Sequence, residues 1–382
     1  MPQGDNTIRL HPNEGTATFG NLTINEMNAA TWSDVFRQVI PPLRLAGCGM
    51  TCRSPTNTAR ETNMEYLKAA RPEAQQPLDA VVVGEALIDV VTTSKGQVEH
   101  PGGSPANVAY GLGLLGVTTG LLTAIAPDAR GTSIENHLRR AGVTLLPGSK
   151  SLTRTATATA TLGPDGSAAY DFDIHWDLPT ATPAYFPKIL HTGSIATFLN
   201  PGAGAVKTLL EQAHKHCTIT YDPNIRPSLL GSHAAAKATF EEIAALTDVV
   251  KLSDEDAHWL YPGKALEETA DHILRLGAGL AVITKGAAGS QFTSPSGRIT
   301  IPAFKATVAD TIGAGDSYMA ALILGLLTRG TEGFAPTVME QLGRTAAAAA
   351  AITVQRAGAN PPTLDELRYV VDASTNRSYT TA

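Results

Sequence analysis

The chain has 382 residues, 43% of them hydrophobic and 17% charged, enough apolar content to bury one large core or two modest ones. Lys plus Arg number 29 against 35 Asp plus Glu, a formal charge of −6, which excludes a basic field for nucleic acid or an anionic membrane and favours a small-molecule partner. Three cysteines, Cys48, Cys52 and Cys217, are too few for a disulfide framework or a zinc site and fit a reducing cytoplasm, and no apolar run reaches the ~20 residues of a membrane helix.

Residues 1–77 are rich in Asn, Thr, Pro and Gly and show weak apolar periodicity, the composition of an appendage. A mostly disordered tail or a start codon set too far upstream is the expectation, with Met64 as an alternative start. Leu45-Ala46-Gly47-Cys48 has the shape of a lipoprotein cleavage site, but Arg37, Pro41, Pro42 and Arg44 interrupt the apolar stretch such a signal needs.

From Ala80 onward, short β-branched runs alternate with Ala- and Leu-rich stretches. That rhythm predicts βαβ units and a parallel sheet covered by helices. Val81–Val83, Leu190–Ile195, Thr218–Tyr221, Asp248–Lys251 and Leu280–Thr284 are the predicted buried strands, and Ala203–His216 and Ala234–Leu246 supply crossover helices. Val90–Glu99 and Thr155–Phe172 alternate polar and apolar residues instead, the latter around the turn Gly163-Pro164-Asp165-Gly166, and predict exposed antiparallel strands. The fold class is α/β, with one domain over 78–370 and a C-terminal tail over 371–382.

The chemistry gathers in short segments. Asp89 and Asn107 are short polar side chains suited to holding hydroxyls, and Gly102 and Gly103 permit close approach of backbone to a ligand. Gly111-Leu112-Gly113-Leu114-Leu115-Gly116 fits the dinucleotide pattern, yet it lies inside a helix beginning near Pro105, where packing and a C-cap explain it better. Asp222-Pro223-Asn224-Ile225-Arg226 follows a buried strand, where open α/β sheets bind ligands; Arg226 could steady a phosphoryl group or pair with Asp222. Asp310-Thr311-Ile312-Gly313-Ala314-Gly315-Asp316 places a carboxylate after a small-residue turn and at a helix start. The turn and helix dipole make an anion hole, and Asp316 is placed to take a proton from an attacking hydroxyl.

The segment Asp310 to Asp316 resembles the C-terminal signature of the ribokinase-like (PfkB) carbohydrate kinases, and Gly102-Gly103-Ser104-Pro105-Ala106-Asn107 resembles their N-terminal signature. The two stand in the family's order, about two hundred residues apart, and the likeness runs from about Asp79 to Leu367. It implies a three-layer α/β/α fold with a small β lid from about 90–100 and 155–173, and ATP-dependent phosphorylation of a sugar. Asp316 would be the base and Gly313, Ala314 and Gly315 the anion hole, with Asp89, Gly102, Gly103, Asn107 and Arg226 on the sugar. Lys251, Ser253, Thr284, Gly286, Gly289 and Asn360 would border the nucleotide. Asp256, Glu255 and Asp310 would organise Mg2+, although Ser253 and Asp256 replace the family's Asn and Glu and leave open which carboxylate acts. The resemblance also leaves room for K+ and for a homodimer through the lid. Glu85-Ala86-Leu87-Ile88-Asp89, Asp222–Arg226 and Lys251–Glu255 together look most like fructokinases; the alternatives are a 2-dehydro-3-deoxygluconokinase, with Arg154 as a carboxylate clamp, and a catalytically silent sugar-binding protein.

Overall fold

A computed structural model describes residues 8–10, 16–19, 22–25, 77–93, 96–162, 168–179, 186–330 and 333–380. The chain divides into two units, Met1–Gln75 and Gln76–Ala382. In the first, β1 (Ile8–Leu10), β2 (Thr16–Phe19) and β3 (Leu22–Asn25) form an antiparallel sheet. Cys48, Cys52, Met64, the 45–48 segment and the predicted 163–166 turn lie outside the described residues.

The second unit is built on a nine-stranded sheet. One branch begins with β4 (Ala80–Val83) and steps outward to β7 (Thr119–Leu122) and β8 (Thr144–Leu145). The other begins with β11 (Ile189–Gly193), which pairs with β4, and steps through β12 (Thr218–Asp222), β13 (Val249–Ser253) and β14 (Leu280–Thr284). All these pairs are parallel, and a hairpin of β15 (Ser290–Ser294) and β16 (Gly297–Ile301) closes one edge antiparallel. The strand order therefore reverses between β4 and β11, and such a switch point opens a crevice at the carboxyl ends of the strands.

A separate four-stranded sheet of the same unit has the order β10-β9-β5-β6. Its strands are β5 (Leu87–Thr93), β6 (Gly96–Gly102), β9 (Thr157–Leu162) and β10 (Ala168–Asp173). The predicted exposed strands are present, with one difference: the two hairpins join through a parallel pair, Ile88 opposite Thr157. Antiparallel pairing holds only within each hairpin.

Helices cover both faces of the large sheet, so its strands read as nearly continuous apolar runs. In β14, Leu280 and Val282 join one core with residues of α1 (Ser104–Leu114), α2 (Ala129–Arg140), α7 (Ala314–Arg329), α8 (Pro336–Thr353) and α9 (Leu364–Thr380), whereas Ala281 and Ile283 join the other. That second core takes residues from α3 (Gly202–Ala213), α4 (His233–Ala244), α5 (Asp254–Leu260) and α6 (Leu266–Leu276). The segment set apart as a tail is helical through Thr380. The predicted strand Leu190–Ile195 stops at Gly193, because Ser194 turns to φ 55 and opens a 3-10 turn over Ser194–Thr197.

Phe240 of α4 is fully buried between the rings of Tyr221 and Tyr261, with centroids 5.8 and 6.3 Å away. Phe240→Ala is expected to cost about 3–5 kcal/mol in urea denaturation, because the cavity opens in a packed layer. A loss under about 1 kcal/mol would show that this layer is loosely filled.

Candidate active site

Helices α1 and α7 pack side by side with their N-termini adjacent, Asn107 against Asp316 and Gly111 against Ala320. Helix α7 starts at Gly313, whose φ of 75° is left-handed and whose added Cβ would lie 2.6 Å from the Cβ of Ala359. Both strain and space require glycine there. Asp316, in the first turn, is 8% exposed. Its Oδ1 accepts from Ser104 Oγ at 2.7 Å and its Oδ2 from Asn107 Nδ2 at 2.9 Å. Those donors are three residues apart and so share one face of α1. Helix α1 begins after Gly103, at φ 98, where a Cβ would come 2.7 Å from the Glu85 carbonyl oxygen. Farther along, a Cβ on Gly111 would lie 3.0 Å from Ala320 of α7, and Gly116 follows the helix end at φ 80. Packing and a helix terminus thus account for the dinucleotide-like glycines.

Burial pushes the Asp316 carboxyl above the usual carboxylate range, while Ser104, Asn107, Lys251 and Arg226 pull it back. Asp89 is half-buried on β5, and a Cβ on Gly102 would overlap its carboxylate. Burial lifts Asp89 to about 6, with the Asp316 charge adding to the rise and Arg226 opposing it.

Arg226 does not pair with Asp222. Its Nη1 donates to Asn224 Oδ1 at 2.7 Å and to the Ile225 carbonyl at 3.1 Å, and the side chain is exposed. Asp222 is taken by Lys251, with Nζ to Oδ2 at 2.7 Å, in a buried ion pair. The register explains the choice: Tyr221 pairs with Val250, so the next residues along the two parallel strands are neighbours.

On the nucleotide side of the expectation, Ser253 and Asp256 form the capping box of α5: Ser253 Oγ accepts from the Asp256 N–H and Asp256 Oδ2 from the Ser253 N–H. Asp256 Oδ1 accepts from the Ile225 N–H at 2.9 Å. Each oxygen keeps one lone pair, enough to receive a metal-bound water, whereas Glu255 stands exposed on the helix. Asp310 accepts from the N–H groups of Ile312 and Gly358, which holds its carboxyl below the usual range and ties down the turn before α7. Thr284 ends β14 in register with Ser253. Gly286 (φ 51) and Gly289 (φ 88) shape the next turn, closed by Lys285 N–H to the Gly289 carbonyl at 2.7 Å. Asn360 is exposed and donates its N–H to the Gly358 carbonyl at 2.8 Å. Among the described residues no three carboxylate, histidine or cysteine side chains converge as a metal cage.

The family description "pfkB family carbohydrate kinase" matches residues 78–366. The chain belongs to this family. A fructokinase of Rhizobium leguminosarum bv. trifolii is 34% identical over 258 residues, 64% of this chain and 78% of the relative. Fructokinase-2 of Solanum lycopersicum is 30% identical over 314 residues, 75% of this chain and 94% of the relative. Two solved structures share the fold: a fructokinase with bound ATP from Xylella fastidiosa (TM-score 0.68, 21% identity, 78% of this chain and 99% of that one), and a Vibrio cholerae fructokinase in a fructose, ADP and calcium ion bound form (TM-score 0.65, 22% identity, 77% and 97%).

Two residues beside Asp316 lie in segments that resemble the family but are given no role of their own by the sequence. Ser104 lies within the N-terminal signature, but only its contact with Asp316 shows its part. Glu85 follows β4 and is 4% exposed, with Oε2 accepting from the Ala196 N–H at 3.2 Å. Burial raises its carboxyl to about 8, and the nearby Asp316 charge adds to the rise. The folded protein therefore keeps a proton that the unfolded chain, with an ordinary value of 4.5, gives up. That stabilisation is complete below about pH 4.5 and is lost as pH rises through about 8. Relative to Glu85→Gln, the wild type is expected to lose about 1 kcal/mol per pH unit between about pH 5 and 8 in chemical denaturation. Parallel stability curves for the two proteins would show that Glu85 is ionised in the fold.

Proposed function

We propose that this pfkB carbohydrate kinase transfers the γ-phosphoryl group of ATP to a primary hydroxyl of a hexose, with D-fructose the preferred acceptor. The observation that carries the reading is a buried carboxylate, Asp316, held on both oxygens by Ser104 and Asn107 at the first turn of α7. The acceptor hydroxyl donates to Asp316, which takes its proton as the oxygen attacks phosphorus. The N–H groups of Gly315 and Asp316, in the first helical turn, have no intrahelical acceptor and face the developing phosphoryl charge, together with the helix dipole. Asp89 accepts from sugar hydroxyls and so fixes which hydroxyl reaches Asp316. Arg226, near both acids, steadies the transferring group. Asp256, whose oxygens each keep a free lone pair, would receive a water of the Mg2+ that accompanies ATP, and that ion would offset phosphate charge.

The relatives named fructokinase support fructose as acceptor. So does the lid: Arg154 donates to Asp173 Oδ1 at 2.7 Å and contacts His175, so its charge is already answered and a sugar acid gains no open clamp there. The silent sugar-binding alternative fits poorly with an intact base and anion hole. Two copies pairing through the lid remain part of the proposal.

Asp316→Asn is expected to lower kcat by roughly 10²–10⁴ while leaving ATP affinity near wild type, because shape is kept and basicity lost. Near-normal kcat in a coupled assay would remove Asp316 as the base. In a screen of hexoses and sugar acids, fructose is expected to give the highest kcat/KM. A tenfold or greater preference for 2-dehydro-3-deoxygluconate would overturn the choice of sugar while leaving the kinase.

A further inference from the structure

Among the described residues the buried acids are Glu85, Asp222, Asp256 and Asp316, and Lys251 is the one buried lysine or arginine. Two of the acids are settled locally. Burial keeps Glu85 protonated, and both oxygens of Asp256 accept backbone N–H groups. Asp316 accepts only from neutral side chains, and Asp222 is paired with Lys251, which also reaches the backbone next to Asp316. Its Nζ donates to Asp222 Oδ2 at 2.7 Å and approaches the carbonyl of Gly315, the residue before Asp316, at 3.5 Å. Asp222 Oδ1 has no hydrogen-bond partner within the protein, so the lysine is what compensates that acid's side chain.

We propose that Lys251 is a positioning residue for phosphoryl transfer: Asp222 tethers its ammonium beneath the first turn of α7, and from there it keeps Asp316 ionised as the base. This rests on the reading of Asp316 given above. Burial opposes the charge on Lys251, but Asp222 more than restores it, so the ammonium persists. Burial likewise lifts Asp222 to about 6, which leaves it ionised at neutral pH. The other charges near Asp316 are Glu85 after β4, Asp89 on β5 and Arg226 after β12; helix α1 contributes only the neutral donors Ser104 and Asn107. Since Arg226 is exposed, Lys251 is the buried positive charge nearest the backbone of Asp316 among the described residues. Lysine is suited to this role as a compact point charge with three donors.

The test is the pH dependence of kcat/KM for D-fructose, or for the sugar the screen selects, at saturating MgATP. Wild type is compared with Lys251→Met, Asp222→Asn and the double variant. Lys251→Met removes the positive neighbour, so the acidic limb is expected to move up by roughly 1 pH unit. Asp222→Asn removes a negative neighbour and leaves the lysine uncompensated, so its limb moves down; the double variant lies between. Loosened packing cannot displace the limb in opposite directions. Limbs that stay at the wild-type position in both single variants, or move the same way, overturn the proposal. If Lys251→Met does not fold, the remaining pair decides: a downward limb in Asp222→Asn that the double variant cancels supports the role, and any other pattern refutes it. Asp316→Asn, measured alongside, separates the two readings. Retained turnover there sinks the base assignment itself, whereas lost turnover with unmoved limbs sinks only the part given to Lys251.

Discussion

Everything at the carboxyl ends of the strands depends on two hydrogen bonds to one buried carboxylate. Ser104 and Asn107 lie more than two hundred residues from Asp316 in sequence, yet they hold its oxygens at 2.7 and 2.9 Å. A charged group taken out of water is costly unless its lone pairs are met, and charged hydrogen bonds of this kind contribute about 1.5–3 kcal/mol each. The bonds form only because both helices can start where they do. Gly103 and Gly313 adopt backbone angles that side chains avoid, and each lies against backbone or side chain that a Cβ would strike. Close packing of α1 on α7 then carries the alignment along the helices.

The surrounding charge is arranged to be uneven. Among the described residues four acids and a single lysine are buried, and burial works against the charge on each acid. Protonation answers one acid, backbone N–H groups answer a second, and the ion pair answers a third. Removing one member of a buried pair such as Lys251 and Asp222 costs about 3–5 kcal/mol, because the survivor is left uncompensated. Backbone dipoles at the start of α7 are therefore the main source of positive potential there, more than side chains.

Much of this was legible in sequence because it is local. The two glycine signatures mark helix starts whose geometry needs glycine, and strands buried on both faces announce themselves as apolar runs, as with Leu280–Thr284. Alternation over Val90–Glu99 and Thr155–Phe172 marks exposed strands, but not their neighbours, so the parallel pairing of β5 with β9 was not readable. Strand β7, Thr119–Leu122, is too short and too ordinary in composition to stand out. The partner of Asp222 was ambiguous for the same reason: Arg226 is near in sequence, but Lys251 is adjacent across the sheet, and only the strand order decides. Glu85 looks like any acidic residue until the turn over Ser194–Thr197 closes on it.

Asp89 sits on β5, an inner strand with β6 bonded along one side and β9 along the other. A side chain so mounted has little freedom of its own; its backbone cannot shift without carrying both flanking strands. The placement of the Asp89 carboxylate is therefore a mechanical property of a whole sheet rather than of a loop. Substitutions on outward-facing positions of that sheet can move the Asp89 carboxylate by tilting the strands, without touching Asp89 itself.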